Sequence, residues 1–282
     1  MPLNLASVGT TSKVHAHTFD WRQLATYALG IGAKKDELSY LYETAEGGMR
    51  AYPTYAVVPT FEPMREVLET TGGDVAMVVH GGQLVKAHRP MSTSGTIHTT
   101  ATIRAIYDLK KFGQVIVDTR STLDGEPLFD TTWSIIYRGE GGFGGPRPAE
   151  SEPEPTVPKD REPDWTLEEK TSPEQALLYR LSGDFNPLHA DPAFAARVGF
   201  AEGPILHGLC TYGFAARAVV KHSAGGDAGR LRAISAQFRR PVWPGDTLVT
   251  QGWELGEGKV AFVTKVKERN EAVLGSSWAL LG

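Results

Sequence analysis

The stretch LSGDFNPLHADP brings three polar side chains of different chemistry into one short segment. Asp184, Asn186 and His189 lie within six positions, and Pro187 and Pro192 stiffen the backbone around them. A carboxylate and an imidazole held on one rigid loop can share acid–base work on a water molecule, because an imidazole ionises near neutral pH. The segment therefore predicts general acid–base chemistry.

Each of these residues also has a structural interpretation. Asp184 and Asn186 are of types that favour turns, where the side chain bonds its own backbone. A histidine such as His189, taken alone, is more often a satisfied polar residue than a catalyst. Asp191 followed by Pro192 is typical of the cap and first position of a short helix. The catalytic interpretation rests on the whole set and on its absence from a related segment of the chain.

Composition places the chain among ordinary globular proteins. It has 282 residues, of which 41% are hydrophobic and 22% charged, with a net charge of −4. These values indicate one large domain or two of average size, and no nucleic-acid or membrane partner. Cys210 is the only cysteine, so a disulfide framework is excluded. With no signal peptide, apolar span or peroxisomal address in the sequence, we expect a soluble protein of a reducing cytoplasm.

The chain divides into two similar halves. Residues 145–164 are rich in Pro and Glu and indicate an extended linker, with an N-terminal unit at 1–144 and a C-terminal unit at 165–282. DWRQLATYALG in the first half matches SPEQALLYRLS in the second, and both carry Gln three positions after a capping residue. In the second segment Pro173 follows the capping Ser172 and is predicted to be the first helical residue. Both halves also end in a segment that runs from Gly to Trp over twenty residues. The pattern predicts duplication of a unit of about 120 to 140 residues.

Each unit is predicted to combine a central helix with an antiparallel sheet. LRAISAQFRRPV, DTLVTQGWEL and KVAFVTKVKER have the β-branched content and partial alternation of strands. The apolar run from Leu206 to Val220 predicts a helix that ends near Gly225. A sheet wrapped around one long helix buries the apolar face of both, so the predicted class is α+β.

The two halves differ at the polar residues. Continued without gaps from Tyr27 and Tyr179, the alignment pairs Gly32 with Asp184, Lys34 with Asn186 and Glu37 with His189. On the helix, where Pro53 matches Pro204, Ala56 pairs with His207 and Val57 with Gly208. A residue needed by the scaffold should occur in both copies. The polar set therefore belongs to the chemistry of the second half.

The second half resembles a known family. YRLSGDFNPLHADPAFAARVGFAEGPILHGLCTYGFAAR is similar to the signature of the hydratase 2 group, the MaoC-like (R)-specific enoyl-CoA hydratases. In the first half, YALGIGAKKDELSYLYE, VVHGGQ and GEGGFGG resemble the hydratase unit of peroxisomal multifunctional enzyme type 2. The resemblance covers nearly the whole chain. It implies a double hotdog fold, with two sheets joined side by side and the hydratase site in the second hotdog only.

The resemblance also implies roles for individual residues. Asp184 and His189 would activate one water between them, and Asn186 would help to hold the site. The backbone N–H of Gly208, at a helix start, would receive the thioester oxygen. A helix amino terminus suits this role, because its free N–H groups and positive dipole end stabilise the enolate-like charge that develops when hydroxide adds to C3.

Three further residues enter through the same resemblance. His207 would position the site, and Glu43 matches a family glutamate and is a candidate for substrate binding. Gly82 is a departure, because relatives carry H-G-E-Q where this chain has HGGQ, and first-half substrate contacts are therefore in doubt.

The reaction implied is syn addition of water to a trans-2-enoyl-CoA, giving a (3R)-3-hydroxyacyl-CoA, and its reverse. Coenzyme A is part of the substrate, and no separate cofactor or metal is expected, since the other histidines lack a ligand pattern. A hotdog thioesterase, a dehydratase of acyl-carrier protein and an acyl-CoA-binding module are the alternatives. A serine hydrolase is unsupported, because G-x-S-x-G does not occur. Monomer and homodimer are both compatible with two fused hotdogs.

Three further expectations concern the acyl chain, the CoA phosphates and the glycine-rich segment. Residues 61–79 would line a wide acyl cavity, because Pro59, Pro63 and the Gly72–Gly73 break would loosen the packing of their helix. Three basic side chains could meet the phosphates of CoA: Arg239, Arg240 and Lys265. The segment GEGGFGGPRP is interpreted as an interdomain turn, since it lacks the setting of a phosphate loop.

Overall fold

The computed structural model describes residues 3–74, 78–149 and 153–282. Its α-helices are α1 (Trp21–Gly30), α2 (Val57–Leu68), α3 (Gln175–Tyr179), α4 (Pro192–Arg197) and α5 (Gly208–Ser223). Its strands are β1 (His15–Phe19), β2 (Val78–Ala87), β3 (Gly95–Asp108), β4 (Phe112–Leu123), β5 (Glu126–Arg138), β6 (Trp165–Lys170), β7 (Leu231–Phe238), β8 (Thr247–Glu254), β9 (Lys259–Val266) and β10 (Glu271–Leu281). The strands predicted at LRAISAQFRRPV, DTLVTQGWEL and KVAFVTKVKER are thus confirmed as β7, β8 and β9.

All strands belong to one antiparallel sheet in the order β1-β3-β4-β5-β2-β7-β10-β9-β8-β6. The first half supplies one side and the second half the other. β2 and β7 pair at the junction, with Gly82 opposite Gln237 and Lys86 opposite Ala233. Because each strand covers the other's free edge, the junction leaves no unpaired sheet edge in the middle of the molecule. This is the side-by-side joining that the family resemblance implies.

One long helix lies against each half of the sheet. α2 packs on β3 and β4, and α5 lies against β7, β8, β9 and β10. The side chains of α5 are buried continuously from Leu209 to Val220. A helix buried on all sides is mostly apolar all round, with Arg217 as the charged exception here, which is why the run from Leu206 to Val220 could be recognised in the sequence. The prediction of a central helix is confirmed, with its first residue at Gly208.

The helices before the two sheets show where the repeat is regular. Asp20 and Gln23 form the predicted capping box of α1. In the second half the same bonds form, since Ser172 N–H donates to Gln175 Oε1 at 3.4 Å and Glu174 N–H donates to Ser172 Oγ at 3.2 Å. The helix nevertheless begins at Gln175 rather than at Pro173, because residues 173 and 174 form a turn.

The segment between the halves is irregular over its described residues. Between Arg138 and Trp165 they form neither helix nor strand. Asp108 accepts the backbone N–H groups of Gly142 and Gly144, both at 2.8 Å, and so orders the glycine-rich turn. Residues 150–152 of the expected linker lie outside the described residues, and the unit boundaries stay a prediction. Over the described ranges, no helix has the length and apolar content needed to cross a membrane.

Candidate active site

The Asp184 turn is held by its own side chains. Gly183 has a left-handed φ of 117°, which turns the chain away from α3. Asp184 Oδ1 accepts the N–H of Asn186 at 3.2 Å, and Asn186 Oδ1 accepts the N–H of Leu188 at 3.0 Å. Asn186 is exposed, and its oxygen closes the turn as its structural interpretation predicts. A contact of Asn186 with substrate stays a prediction.

His189 is buried and oriented by a backbone carbonyl. Its Nδ1 lies 2.8 Å from the carbonyl oxygen of Ile205, which can only accept a hydrogen bond. Nδ1 therefore carries the proton of the neutral ring, and Nε2 carries the lone pair. Such an imidazole can take a proton at Nε2 without moving its backbone contact.

His207 stacks on His189. The ring centroids are 3.7 Å apart with an interplanar angle of 28°. His207 Nε2 donates to the backbone oxygen of Asp184 at 3.2 Å, and its Nδ1 is buried without a partner in the part of the chain that is described. A carboxylate oxygen of Asp184 and one ring nitrogen each of His189 and His207 lie within 4.8 Å of one another. A single water molecule can bridge groups at this spacing. A metal ion would also fit, so the expectation of no metal stays a prediction.

Burial keeps both imidazoles neutral. It lowers the pKa of His189; Asp184 and the Ile205 carbonyl oppose this effect, and the positive charge of Arg180 adds to it. Burial, followed by the proximity of His189, lowers the pKa of His207 to about 2. At pH 7 the site therefore presents two uncharged rings, and His189 is in the form required of a general base.

Gly208 opens α5 beside this pair. Its N–H has no hydrogen-bond partner among the described residues, since the first helical turn cannot supply one. A Cβ at Gly208 would lie only 3.1 Å from the ring of Phe238, so glycine permits this close approach. The helix spans 16 residues, and the positive end of its dipole points at whatever occupies the space before Gly208. The turn can stabilise an oxyanion.

A cleft of about 640 Å³ reaches His189 from the surface. Its lining includes Ala176 of α3, Pro204 of the loop before α5, Trp243 of the loop between β7 and β8, and Arg269 of the turn between β9 and β10. The Trp243 ring lies 4.9 Å below the Arg269 guanidinium, which Asp246 holds by two hydrogen bonds. The cleft gives a small molecule access to the imidazole.

Several residues named from the sequence lie apart from this cluster. Glu43 is exposed, and the described residues offer it no hydrogen bond or ion pair. Arg239 follows β7 directly and bonds Ser276 Oγ at 3.1 Å, Arg240 is exposed beside it, and Lys265 lies inside β9 rather than at a strand start. Their contacts with CoA stay predictions.

The segment expected to line an acyl cavity is partly described. In α2, Met64 and Val67 are buried against the sheet, and the Phe61 ring lies 6.1 Å from Trp133. Residues 75–77 lie outside the described residues. The acyl cavity stays a prediction.

Sequence reasoning missed two residues of the site. The ring of Tyr179 lies 4.9 Å from that of His207, and Arg180 lies close enough for its charge to act on both imidazoles. The comparison of the two halves could have identified Arg180, because the gap-free alignment places it opposite Ala28. Tyr179 is matched by Tyr27 and gives no such signal.

Two family models match the chain. The MaoC like domain matches residues 155–275, and the MFE-2 hydratase 2 N-terminal domain matches residues 17–139. The first therefore covers the cluster around His189, and the second covers most of the first half.

Known proteins match over nearly the whole length. The chain is 38% identical over 277 residues to "Enoyl-CoA hydratase 2, peroxisomal" of Arabidopsis thaliana, which covers 92% of this chain and 89% of the relative. The crystal structure of a MaoC-like dehydratase from Phytophthora capsici superposes with a TM-score of 0.90 at 33% identity, over 99% of this chain and 98% of the other. A Mycobacterium tuberculosis protein described as a double hotdog fold matches over 98% and 96% of the two chains at a TM-score of 0.59 and 14% identity, which supports the fold alone.

Proposed function

This chain belongs to the MaoC-like hydratase 2 family, and from that premise we propose that it is an (R)-specific 2-enoyl-CoA hydratase. It would add water reversibly and syn to a trans-2-enoyl-CoA, giving the (3R)-3-hydroxyacyl-CoA. The observation that carries the proposal is the meeting of Asp184, His189 and His207 at the amino terminus of α5. Identity of 38% with an enoyl-CoA hydratase 2 over 89% of that relative supports it.

The proton steps follow from the tautomer of His189. A water molecule held by the Asp184 carboxylate gives a proton to Nε2 of His189 while its oxygen bonds to C3 of the enoyl group. The electron pair of the C2–C3 double bond moves toward the thioester oxygen. The imidazolium then returns the proton to C2 from the same face, which makes the addition syn and restores the neutral ring. Dehydration runs the same steps in reverse.

The oxyanion is stabilised at Gly208. The free N–H of Gly208 and the dipole of α5 lie where negative charge develops on the thioester oxygen, and neither must reorganise during the reaction. His207 supports this geometry, since it stacks on His189 and donates to the Asp184 carbonyl. Its role is positioning.

The first half has a different proposed task. It lacks the acid–base set, and we assign it to binding of the acyl chain, with residues 61–79 as lining. Gly82 leaves this half without the acidic side chain of the H-G-E-Q pattern, and Glu43 stays a proposed substrate contact. The proposed unit boundaries are 1–144, 145–164 and 165–282.

The proposal extends to the cofactor, the oligomeric state and the cellular compartment. It would need no cofactor beyond the CoA of its substrate, and it would work as a monomer or a homodimer. Arg239, Arg240 and Lys265 remain proposed contacts for the CoA phosphates. The cytoplasm stays the proposed compartment, although the plant relative is named as peroxisomal. Microscopy of the tagged full chain would distinguish the two.

The test follows the enoyl-thioester absorbance of trans-2-enoyl-CoAs of several chain lengths. Loss of absorbance with formation of the (3R) product supports the proposal. Release of free CoA instead would indicate a thioesterase, and turnover restricted to carrier-protein thioesters would indicate a carrier-protein dehydratase. Binding without turnover at any length would leave a binding module. A preference for short chains over all long or branched ones would count against the acyl cavity.

A further inference from the structure

Arg180 bridges the turn that carries Asp184. It is the first residue of the short 3₁₀ turn Arg180–Ser182 that follows α3. Its guanidinium carbon lies 5.4 Å from the ring centre of Phe185, and its Nη2 donates to the Phe185 carbonyl at 3.4 Å. Both contacts fall on the residue immediately after Asp184. A planar guanidinium can stack on a ring face while it donates to a carbonyl in its own plane, a fixed geometry that a compact ammonium group does not reproduce.

The charge of Arg180 is not neutralised by a close partner. Over the described residues it makes no ion pair within 4.0 Å, and its Nε is buried without an acceptor. The side chain is only partly exposed, so water screens its charge incompletely. An unpaired cation at this place acts on groups that change charge during the reaction.

The groups that face His189 can be named from each element around it. Asp184 and Arg180 come from its own turn, and His207 lies on the opposite ring face. Across the cleft stand Glu202, Asp246 and Arg269, of which the last two neutralise each other. Arg180 is therefore the cation that opposes protonation of His189, while Asp184 favours it.

We propose that Arg180 is a positioning residue of the hydration site, which clamps the Asp184 turn through Phe185 and keeps an unpaired cation at that turn. The proposal rests on the hydratase function above. It has two parts. The contact part concerns the planar contact of the guanidinium with Phe185, the charge part concerns the effect of its positive charge on His189, and each predicts a different variant phenotype.

The charge part is tested by titrating His189 directly. Full-length protein labelled with ¹³C at histidine gives imidazole Cε1–H signals, and His189 is assigned by the signal lost in His189→Gln. In Arg180→Gln the titration midpoint of His189 should move to higher pH, because a positive charge disfavours the imidazolium. In Arg180→Lys, which keeps the charge, the midpoint should stay near the wild-type value.

The contact part is tested by kinetics. Phe185→Leu removes the ring and keeps the cation, so kcat should fall about tenfold through a misplaced Asp184, with an unshifted His189 midpoint. Arg180→Lys should show a similar fall in kcat, because a point charge cannot reproduce the clamp.

Arg197 supplies a matched control. Its guanidinium carbon lies 4.9 Å from the ring centre of Phe194 on α4, a similar pair close in sequence. Arg197→Gln removes the same charge and Phe194→Leu the same ring, and both should leave the His189 midpoint and kcat unchanged.

The outcomes separate cleanly. The charge part is overturned if the His189 midpoint does not move in Arg180→Gln. It is also overturned if Arg180→Lys or Arg197→Gln shifts that midpoint as much as Arg180→Gln does. Unchanged kcat in both Phe185→Leu and Arg180→Lys overturns the contact part. Failure of the hydratase function would appear as absent turnover by the wild type, while the titration would still report on Arg180. Should Arg180→Gln not fold, Arg180→Lys and Phe185→Leu still decide the contact part, and Arg180→Met titrated in its place decides the charge part.

Discussion

Glu37 and His189 occupy matching positions in the two halves, yet their surroundings are opposite. The Glu37 carboxylate is bound by Arg217 of α5 through two nitrogens, one of them in a very short contact, and by the hydroxyl of Tyr52 at 2.8 Å. Arg217 also binds Glu169 of β6 at 3.1 Å. In the second half, neither Nε2 of His189 nor Nδ1 of His207 has a hydrogen-bond partner among the residues that the structure describes.

At one scaffold position, then, the first copy carries an ion pair and the second carries the residue proposed for chemistry. Glu37 comes from the first half and Arg217 from the second, so their ion pair ties the two halves together inside the protein. Burial raises the pKa of Glu37, but the hydrogen bonds and charge of Arg217 outweigh it, so the carboxyl stays ionised. In the first half, the charge of Glu37 is thus neutralised by a side chain of the protein. Around His189 the protein leaves polar atoms for substrate and water.

The largest expected effect comes from breaking the ion cluster. Arg217→Met leaves the largely buried Glu37 and Glu169 without their cation, and should lower the free energy of unfolding by about 3–5 kcal/mol. Arg65→Met is the matched control, because Arg65 also bridges two carboxylates, Glu62 and Glu69, but on the surface. It should cost less than about 1 kcal/mol. Chemical denaturation measures both variants. Equal losses in the free energy of unfolding would show that the Arg217 ion cluster stabilises the protein no more than a surface ion pair does.

Acid should weaken the first half through His80. Burial lowers the pKa of this histidine to about 4, partly opposed by bonds to Gly82 and Gln83. As pH falls from 6.5, the unfolded chain binds a proton that the folded chain refuses, so the free energy of unfolding falls until about pH 4. His80 contributes up to about 3 kcal/mol of this loss. His80→Gln should flatten the slope in denaturation curves across that range, while His98→Gln, on the exposed part of β3, should not.

The left-handed glycines offer a smaller contrast between the halves. Gly32 has φ 86°, and a Cβ there would lie 2.3 Å from the Phe214 ring. Gly183 has φ 117°, and a Cβ there would meet nothing within 4 Å. Gly32→Ala should therefore cost about 2–3 kcal/mol from backbone strain and overpacking, and Gly183→Ala about 1 kcal/mol from strain alone. Thermal unfolding of the two variants would contradict this if Gly183→Ala were the less stable.

The smallest effect is expected at the pair Lys34 and Asn186. Asn186→Ala removes the side-chain oxygen that closes the Asp184 turn and should cost about 1 kcal/mol. Lys34→Ala changes an exposed residue and should stay within about 0.5 kcal/mol of the wild type. Equal stability of the two variants would mean that the turn does not depend on the Asn186 bond.

The sequence predicted the parts of the fold that follow local rules. The central helix at α5 was predictable because it is mostly apolar on every side, and the strands β7, β8 and β9 because of their β-branched alternation. The start of α3 was placed two residues early, since a Ser-Pro cap signal does not show whether the first turn is a regular helix.

The site was predictable to the extent that it is absent from the sister repeat. Asp184 and His189 stand out by that comparison, and the structure brings them together with His207. The contact of Arg217 with Glu37 joins residues 180 positions apart and carries no local signal. Arg180 was missed because an arginine beside a helix end is typical of solvated surface. Only its alignment opposite Ala28 in the first half indicates that it belongs to the site.

The central claim is that the second half alone activates water, through Asp184 with His189. The most direct test compares Asp184→Asn with Asp191→Asn in hydration of a trans-2-enoyl-CoA, because both remove one carboxylate from the same loop. Asp191 caps α4, and asparagine can replace it as a cap. The account predicts a loss of about 100-fold or more in kcat for Asp184→Asn and near wild-type activity for Asp191→Asn. Full activity of a folded Asp184→Asn protein would contradict it.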